Sequence, residues 1–230
     1  MNVKPLLQRL WREWVRPLAI PLLLVASAKS AIADINYVPS GSMKPTILEG
    51  DVVFINKLAY DLRVPFTFTR IARWSEPARG DIVVCYSPAD NMRLVKRVVG
   101  IPGDVIELRS DVLFLNGVQQ SYVSLPAEIT RDMSAAERSR AIFAQEILDQ
   151  RPHAVMALPG IPARRDFGPV SVPPDRYFMM GDNRDNSNDS RYFGFVGRRE
   201  IVGEAKGVFV SADLDRWLQP RFRRFFSGLD

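Results

Sequence analysis

Residues 39–46 read PSGSMKPT, and the rest of the chain is arranged around this stretch. The hydroxyls of Ser40 and Ser42 flank Gly41, and a proline near each end favours a rigid loop over a helix. Ser, Gly and Pro are turn residues, so the stretch taken alone is typical of a surface turn. An apolar segment precedes it and a region rich in Val, Ile and Phe follows, so its chemistry depends on what lies downstream.

The 230 residues carry a net charge of +5, with 47% hydrophobic and 25% charged residues, which is ordinary globular composition. This length suffices for one domain with a substantial core or for two small ones. The basic residues are scattered, with a cluster near each terminus and no basic stripe interleaved with aromatics, so nucleic acid is not indicated as a partner. Membrane phosphates fit the terminal clusters better.

The chain has one cysteine and one histidine. Cys85 has no partner for an intrachain disulfide or a thiolate metal cluster, and its apolar neighbours favour a buried small hydrophobe over a nucleophile. A His-dependent triad or a multi-His zinc site would have to be built on His153 alone. The single cysteine and the single histidine therefore argue against a thiolate metal cluster, a His-dependent triad and a multi-His zinc site.

Residues 1–16 are basic and contain two tryptophans, and residues 17–33 are largely apolar. This layout is typical of a membrane anchor with a cytoplasmic N-terminus. Residues 17–33 as a helix span roughly 25 Å, less than a ~30 Å hydrocarbon core, so Lys29 would have to reach the outer interface. The alternative is a cleavable secretory signal with small-x-small sites at residues 26–28 and 31–33. Both interpretations place the remainder outside the cytoplasm, and the small-x-small sites also raise the hypothesis of self-cleavage.

Beyond residue 38 the sequence changes to β-branched and aromatic runs separated by short turns. These predict a largely antiparallel β domain, with strands over 51–57, 82–86, 93–100, 105–108, 112–115, 176–180 and 203–210 and a tight turn at Asn116-Gly117. Residues 119–170 differ, and we interpret them as an inserted second lobe. Capping-box spacing at 134–137 predicts a short helix over 138–148. The basic and aromatic tail, residues 213–230, fits either a membrane surface or a frayed end packed on the domain.

Lys96 and Arg97 are neighbours in a predicted strand, so they face opposite sides of it. One of the two cations must therefore lie among apolar side chains or at an edge of the sheet. Burial of Lys96 would lower the pKa of its amine, because the charged form loses its hydration, and the neutral amine would be a general base for a nearby hydroxyl. If one face is open to solvent, Lys96 is only a polar edge residue, and the strand alone favours this alternative.

Residues 181–191, GDNRDNSNDSR, are dense in Asp, Asn and Ser. The simplest interpretation is a surface loop rich in Asx turns. The spacing excludes an EF-hand calcium loop, because the sixth position holds no glycine. A further interpretation is a network that fixes a catalytic lysine, in which Asp182 and Asp189 hold Arg97 or Arg191 and a serine aligns the amine.

Together these features resemble the type I signal peptidases, membrane-bound serine/lysine proteases that remove signal peptides from exported proteins. The resemblance rests on the apolar segment, PSGSMKPT, RGDIV at 79–83, KRVVGIPGD at 96–104 and GDNRDNSNDSR. It covers about residues 17–118 and 175–210 and is weak elsewhere. It implies a mainly β fold, in which a coiled antiparallel catalytic core (residues 34–118 and 171–212) carries a variable inserted lobe and follows an N-terminal membrane helix.

The resemblance also implies roles for individual residues. Ser42 would be the nucleophile and Lys96 the neutral general base, with Ser187 orienting the lysine. The Ser42 backbone N–H and the Ser40 hydroxyl would form the oxyanion hole. The residues bracing the site would be Arg97, Asp182, Asp189 and Arg191, and those lining shallow pockets for small residues, as in Ala-x-Ala sites, would be Val38, Pro39, Met43 and Val95. The family needs no metal or organic cofactor.

We therefore expect a single-pass protein of the cell (inner) membrane, with a cytoplasmic N-terminus and its catalytic domain on the periplasmic side. Its expected partners are exported preproteins and membrane phospholipid, without nucleic acid or metal. Specialisation for one pilin or secretion-system substrate is a near alternative. A different enzyme class is a self-cleaving serine/lysine regulator, but such a protein would not need residues 1–33. The non-enzyme alternative is an envelope β-domain that binds peptides without cutting them.

Overall fold

The structure, a computed structural model, describes residues 11–65, 67 and 69–229. A π-helix over Trp11–Val15 continues into α1 (Arg16–Ile32); α2 is Ala135–Arg140 and α3 is Ser190–Phe193. The strands are β1 (Ala33–Tyr37), β2 (Asp51–Asn56), β3 (Asp61–Arg63), β4 (Arg70–Arg73), β5 (Ile82–Tyr86), β6 (Arg93–Gly100), β7 (Val105–Arg109), β8 (Val112–Leu115), β9 (Val118–Gln119), β10 (Ser121–Val123), β11 (Ile142–Leu148), β12 (Arg151–Ala157), β13 (Phe167–Ser171), β14 (Arg176–Met180), β15 (Val196–Gly197), β16 (Ile201–Asp213), β17 (Gln219–Pro220) and β18 (Ser227–Gly228). Short 3₁₀ turns cover Gly41–Met43, Lys57–Ala59, Ala127–Thr130, Leu214–Arg216 and Phe222–Arg224.

The main sheet is antiparallel and has the strand order β1-β2-β16-β5-β6-β14-β15, with β17 and β18 added to β16. Along β16 the register shifts against both β2 and β5. Such bulges increase the local twist, and the long central strand therefore curls the sheet. The predicted mainly β fold with a coiled antiparallel core and a preceding apolar helix is confirmed.

Strands β5 and β6 are covered on both faces. One face adds to an apolar cluster that includes Val53, Ile55, Val84 and Val95, and the other adds to a cluster that includes Val83, Cys85, Val98 and Met179. Consequently Lys96 is 2% exposed and Arg97 is 5% exposed. The alternative in which one face of this strand is open to solvent is wrong, because the curled sheet packs against both sides of it.

The second lobe departs from the prediction of a helix over 138–148. Helix α2 begins with the predicted capping box between Ser134 and Glu137, but it ends at Arg140. Residues Ile142–Leu148 form β11, which pairs along its whole length with β12 across a turn. The capping box therefore starts a helix locally, whereas pairing in the β11–β12 hairpin determines the secondary structure of the residues after it.

The lobe also shares residues with the core. Strands β10, β11 and β12 form a sheet of their own. At the two ends of the predicted lobe, β9 pairs with β8 and β13 pairs with β7, and β7 and β8 belong to the predicted core. The predicted tight turn lies between β8 and β9, where Asn116 has φ 54° and Gly117 has φ 79°. Positive φ at both positions is what this turn requires.

The helix Trp11–Ile32 is long and apolar enough to cross a membrane, with 22 residues and a mean hydropathy of 1.5. At 1.5 Å per residue it spans roughly 33 Å. Only 6% of an apolar 18-residue stretch of this helix is buried inside the protein, which excludes a core helix. A signal sequence has the same features. The predicted basic stretch up to residue 10 and the side chain of Lys29 lie outside the described residues.

The tail is packed on the domain rather than frayed. Strands β17 and β18 pair with β16, and the Arg224 guanidinium donates to the Asp51 carboxylate, with Nη2 2.6 Å from Oδ2. Arg221 Nη1 donates to the Glu49 carbonyl at 2.9 Å. Arg221 and Arg224 therefore hold the segment against the core, while Trp217, Phe222 and Phe226 stay exposed.

Candidate active site

The loop that carries Ser42 is anchored by the apolar side chains on both sides of it. Gly41–Met43 form a 3₁₀ turn, closed by a hydrogen bond from the Lys44 N–H to the Gly41 carbonyl at 3.1 Å. Val38 and Met43, which are 3% and 1% exposed, belong to the apolar cluster under the main sheet. The turn between them keeps Ser42 half-buried, so its hydroxyl lies at the edge of the core.

The Ser42 hydroxyl meets the amine of Lys96 there. Lys96 Nζ lies 2.7 Å from Ser42 Oγ, a hydrogen-bond distance. The two residues are 54 positions apart in the sequence and come from the 3₁₀ turn and from β6. The sequence-predicted pair is therefore in contact.

The surroundings of Lys96 favour its neutral form. Burial lowers the pKa of the amine from its ordinary value of 10.5, because the ammonium loses its hydration. The positive charge of Arg191 acts in the same direction, whereas the carboxylates of Asp189 and Asp182 oppose it. The net direction is downward, which makes a lone pair available for proton transfer closer to neutral pH.

Two buried ion pairs flank the lysine, and each aspartate has its own arginine. Arg97 binds Asp182 with two hydrogen bonds, from Nε at 2.8 Å and Nη2 at 2.7 Å. Arg191 binds Asp189 in the same way, with both hydrogen bonds at 2.9 Å. Burial alone would raise the pKa of Asp182, but the charge and hydrogen bonds of Arg97 outweigh it and hold that pKa below its usual value.

These ion pairs are part of a loop, residues 181–191, that is largely interior. Within it only Asn186 and Asn188 are exposed. The interpretation as a surface loop is therefore wrong, because its carboxylates are paired inside the protein with guanidinium groups.

Ser187 and Ser40 are placed near the dyad but have different surroundings. Ser187 Oγ is buried and has no hydrogen-bond partner among the described residues, so the expected bond to Lys96 is not formed here. Ser40 is exposed and extended, directly before the 3₁₀ turn. Their roles as lysine-orienting and oxyanion-hole residues stay predictions.

The predicted substrate-binding residues fall into two groups. Val38, Met43 and Val95 share one apolar cluster and are each less than a tenth exposed, whereas Pro39 is exposed. The role of these four residues in substrate binding stays a prediction.

Sequence reasoning missed Asn183 and Gly181. The Asn183 N–H donates to the Ser42 carbonyl at 3.1 Å, and its Nδ2 donates to the Gly41 carbonyl at 3.0 Å. Gly181 leaves no room for a side chain, because an added Cβ would lie 2.3 Å from the Ser42 carbonyl oxygen and 2.3 Å from Ser187 Oγ. Both residues lie inside the GDN run, but nothing in the sequence alone says what they contact.

Comparison with known proteins shows the family of the chain. The family model described as "Signal peptidase, peptidase S26" matches residues 11–210. The chain belongs to this family. Membership of the signal peptidases makes it a peptidase and supports the removal of signal peptides from preproteins as its activity.

Individual relatives extend the similarity over most of the chain. Signal peptidase I of Pseudomonas fluorescens is 36% identical and the match covers 96% of this chain and 77% of the relative. Signal peptidase I P of Bacillus subtilis subsp. natto is 33% identical, with 87% and 90% covered. A crystal structure of a signal peptidase I from Enterococcus faecalis is 35% identical and covers 56% of this chain and 97% of its own, with a TM-score of 0.36.

Proposed function

We propose that this signal peptidase is an endopeptidase that cuts exported preproteins after small-x-small sites, with Ser42 as nucleophile and Lys96 as neutral general base. The observation that carries the proposal is the 2.7 Å contact between Ser42 Oγ and the amine of a buried lysine. A serine hydroxyl is a weak nucleophile until an adjacent base takes its proton. The lowered pKa of Lys96 supplies such a base without a histidine.

The proposed reaction has two halves that use the same amine. In the first, Lys96 accepts the Ser42 proton while Oγ attacks the scissile carbonyl, and the resulting ammonium then protonates the leaving amine of the mature chain. In the second, Lys96 takes a proton from water while the water oxygen attacks the acyl ester, and the ammonium then returns that proton to Ser42 Oγ as the ester bond breaks and the signal peptide leaves. The Ser42 N–H and the Ser40 hydroxyl donate to the carbonyl oxygen in both tetrahedral intermediates.

Substrate choice follows from the shape of the site. Val38, Met43 and Val95 are fixed in a packed apolar cluster, so enlarging the space beside Ser42 would require repacking the core. A bulky side chain at the small positions of the substrate would therefore be excluded by steric overlap. Specialisation for one pilin or secretion-system substrate stays a prediction.

The proposed function predicts cleavage of a preprotein with an Ala-x-Ala site, directly after the second alanine. The full chain in detergent is incubated with this preprotein and with a matched preprotein carrying Leu at both small positions, and the products are identified by mass spectrometry. We expect the Leu preprotein to be cut at least about 100-fold more slowly, because a clash in a packed pocket raises the barrier by a few kcal/mol. Absence of cleavage, or equal rates on both, would contradict the proposal.

We also propose that the chain is a single-pass inner-membrane protein, with its catalytic domain outside the cytoplasm. The apolar helix Trp11–Ile32 supports an anchor, and exposed aromatic side chains of β16 and the tail support contact with lipid. We define the tail patch as Phe209, Trp217, Phe222 and Phe226, whose exposed fractions are 42%, 99%, 72% and 75%. The exposed arginines beside it suit lipid phosphates, since aromatic and basic side chains together are typical of membrane-surface segments.

The tail patch predicts that Trp217 reaches the acyl chains of a bilayer. When the full chain is reconstituted into vesicles, brominated lipids should quench part of its tryptophan fluorescence. We expect the quenched part to be smaller in a Trp217→Phe variant. Trp74→Phe is the matched control, because Trp74 is 53% exposed but its Nε1 is bonded to the Leu58 carbonyl on the domain. If removing either tryptophan changes the quenching equally, the tail patch does not contact lipid.

A further inference from the structure

The second lobe contains a buried charged cluster that the proposed reaction does not use. Glu146 on β11 is fully buried and accepts two hydrogen bonds from Arg184, to Oε2 at 3.0 Å and to Oε1 at 2.6 Å. The Tyr122 hydroxyl on β10 also donates to Glu146, and His153 Nε2 on β12 lies 3.2 Å from its Oε1. All three strands of the lobe's own sheet thus converge on a single carboxylate.

The charges in this cluster are settled by their surroundings. Burial alone would raise the pKa of Glu146, but the positive charge of Arg184 outweighs it and the pKa lies far below its usual value. Burial, together with the positive charge of Arg97, lowers the pKa of His153, so the imidazole stays neutral near pH 7. The pair Glu146–Arg184 is therefore a permanent ion pair inside the protein.

The arginine of this pair belongs to the segment that holds the nucleophile. Arg184 directly follows Asn183, whose N–H and Nδ2 bind the carbonyls of Ser42 and Gly41. The main chain of β12 clamps the same segment, since the Met156 N–H donates to the Asp182 carbonyl at 2.9 Å and the Arg184 N–H donates to the Met156 carbonyl at 2.8 Å. A continuous path of short contacts therefore leads from Glu146 to the backbone of Ser42.

We propose that Glu146 of the second lobe is a positioning residue for this signal peptidase. Its ion pair with Arg184 holds residues 182–184 in place, and Asn183 in turn fixes the Ser42 backbone and hydroxyl against Lys96. The proposal rests on the proposed function and assigns a task to the lobe. Positioning matters because a displacement of reacting atoms by about 1 Å costs on the order of 100-fold in rate.

Glu146→Gln tests the proposal, because the amide keeps the size of the side chain and removes its charge. The full chain in detergent is assayed on a peptide that spans an Ala-x-Ala site, and kcat and KM are measured separately on folded protein. We expect kcat to fall about 100-fold with KM nearly unchanged, since the pockets stay intact while Ser42 is displaced. A loss of folded protein alone would scale the total activity without changing kcat per folded molecule.

Asp61→Asn is the matched control. Asp61 is 1% exposed and pairs with Arg63, Arg70 and Arg198, which lie outside the loop 181–191 and the Ser42 turn. This variant also removes a buried carboxylate charge, but we expect kcat to stay close to that of the wild type. A kcat in Glu146→Gln no lower than in Asp61→Asn overturns the positioning role.

Asn183→Ala covers the case in which Glu146→Gln does not fold. It keeps the Glu146–Arg184 pair and removes only the hydrogen bond to Gly41, so we expect a fall in kcat of about tenfold. An unchanged kcat in Asn183→Ala would also overturn the proposal. A wild-type chain that cuts no peptide would overturn the proposed function and the positioning role with it, whereas normal wild-type cutting with unchanged variants overturns the positioning role alone.

Discussion

Lys96→Met is expected to lower the rate of preprotein cleavage by about 10⁴-fold while the protein stays folded. This is the upper end of the effect of a general base, because the same amine serves both halves of the proposed reaction. Methionine is an unbranched side chain only one heavy atom shorter than lysine, so it fills most of the buried space, and each nearby aspartate keeps its own arginine. Ser42→Ala should have an effect at least as large, because it removes the atom that forms the acyl ester.

The control for this prediction is another lysine of the same domain. Lys57 is largely buried and lies 3.4 Å from Asp34, but it does not touch the Ser42 turn. Lys57→Met should leave cleavage of the Ala-x-Ala preprotein near the wild-type rate. Cleavage that persists in Lys96→Met or in Ser42→Ala would remove the dyad and favour the peptide-binding alternative or another mechanism.

The pH dependence follows from the same amine. The general base must be unprotonated, so kcat/KM should rise with pH and level off above the pKa of Lys96 in the free enzyme. Burial lowers that pKa from 10.5, so the midpoint of the rise should fall clearly below 10.5. A midpoint at or above 10.5 would mean that Lys96 is not held neutral by its surroundings.

Gly181→Ala should reduce cleavage about 100-fold, although Gly181 takes no part in the chemistry. The added methyl group would lie 2.3 Å from the Ser42 carbonyl oxygen and 2.6 Å from Ser187 Cβ, far inside van der Waals contact. The Ser42 carbonyl is also bound by the Asn183 N–H, so it moves only if that hydrogen bond breaks. The overpacking should also lower the free energy of unfolding by about 1–3 kcal/mol.

Gly160→Ala is the matched control, since an added Cβ there has no heavy atom within 4 Å. Cleavage rate and urea unfolding are measured for both variants. We expect Gly160→Ala to behave like the wild type in both measurements. If Gly181→Ala keeps full activity, the close approach of the glycine to Ser42 has no bearing on the geometry of the nucleophile.

Local signals account for the predictions that the structure confirms. Strand β6 has the bounds predicted for residues 93–100, and the capping box at 134–137 and the turn at Asn116-Gly117 form as expected. Each depends on residues that are neighbours in sequence. The helix predicted over 138–148 failed because β11 gains its hydrogen bonds from β12, and such pairing overrides a weak local preference.

The sequence by itself determined the family, the antiparallel β class and the identity of the proposed dyad, because these are carried by motifs and by the alternation of side chains. Only the tertiary structure decided that both faces of β6 are buried, that Asp182 binds Arg97 while Asp189 binds Arg191, and that Asn183 and Gly181 touch the Ser42 turn. The physical reason is that burial and charge pairing depend on segments brought together by the curled sheet. The pKa of Lys96 is a property of that enclosure rather than of lysine, so no reading of residues in order determines it.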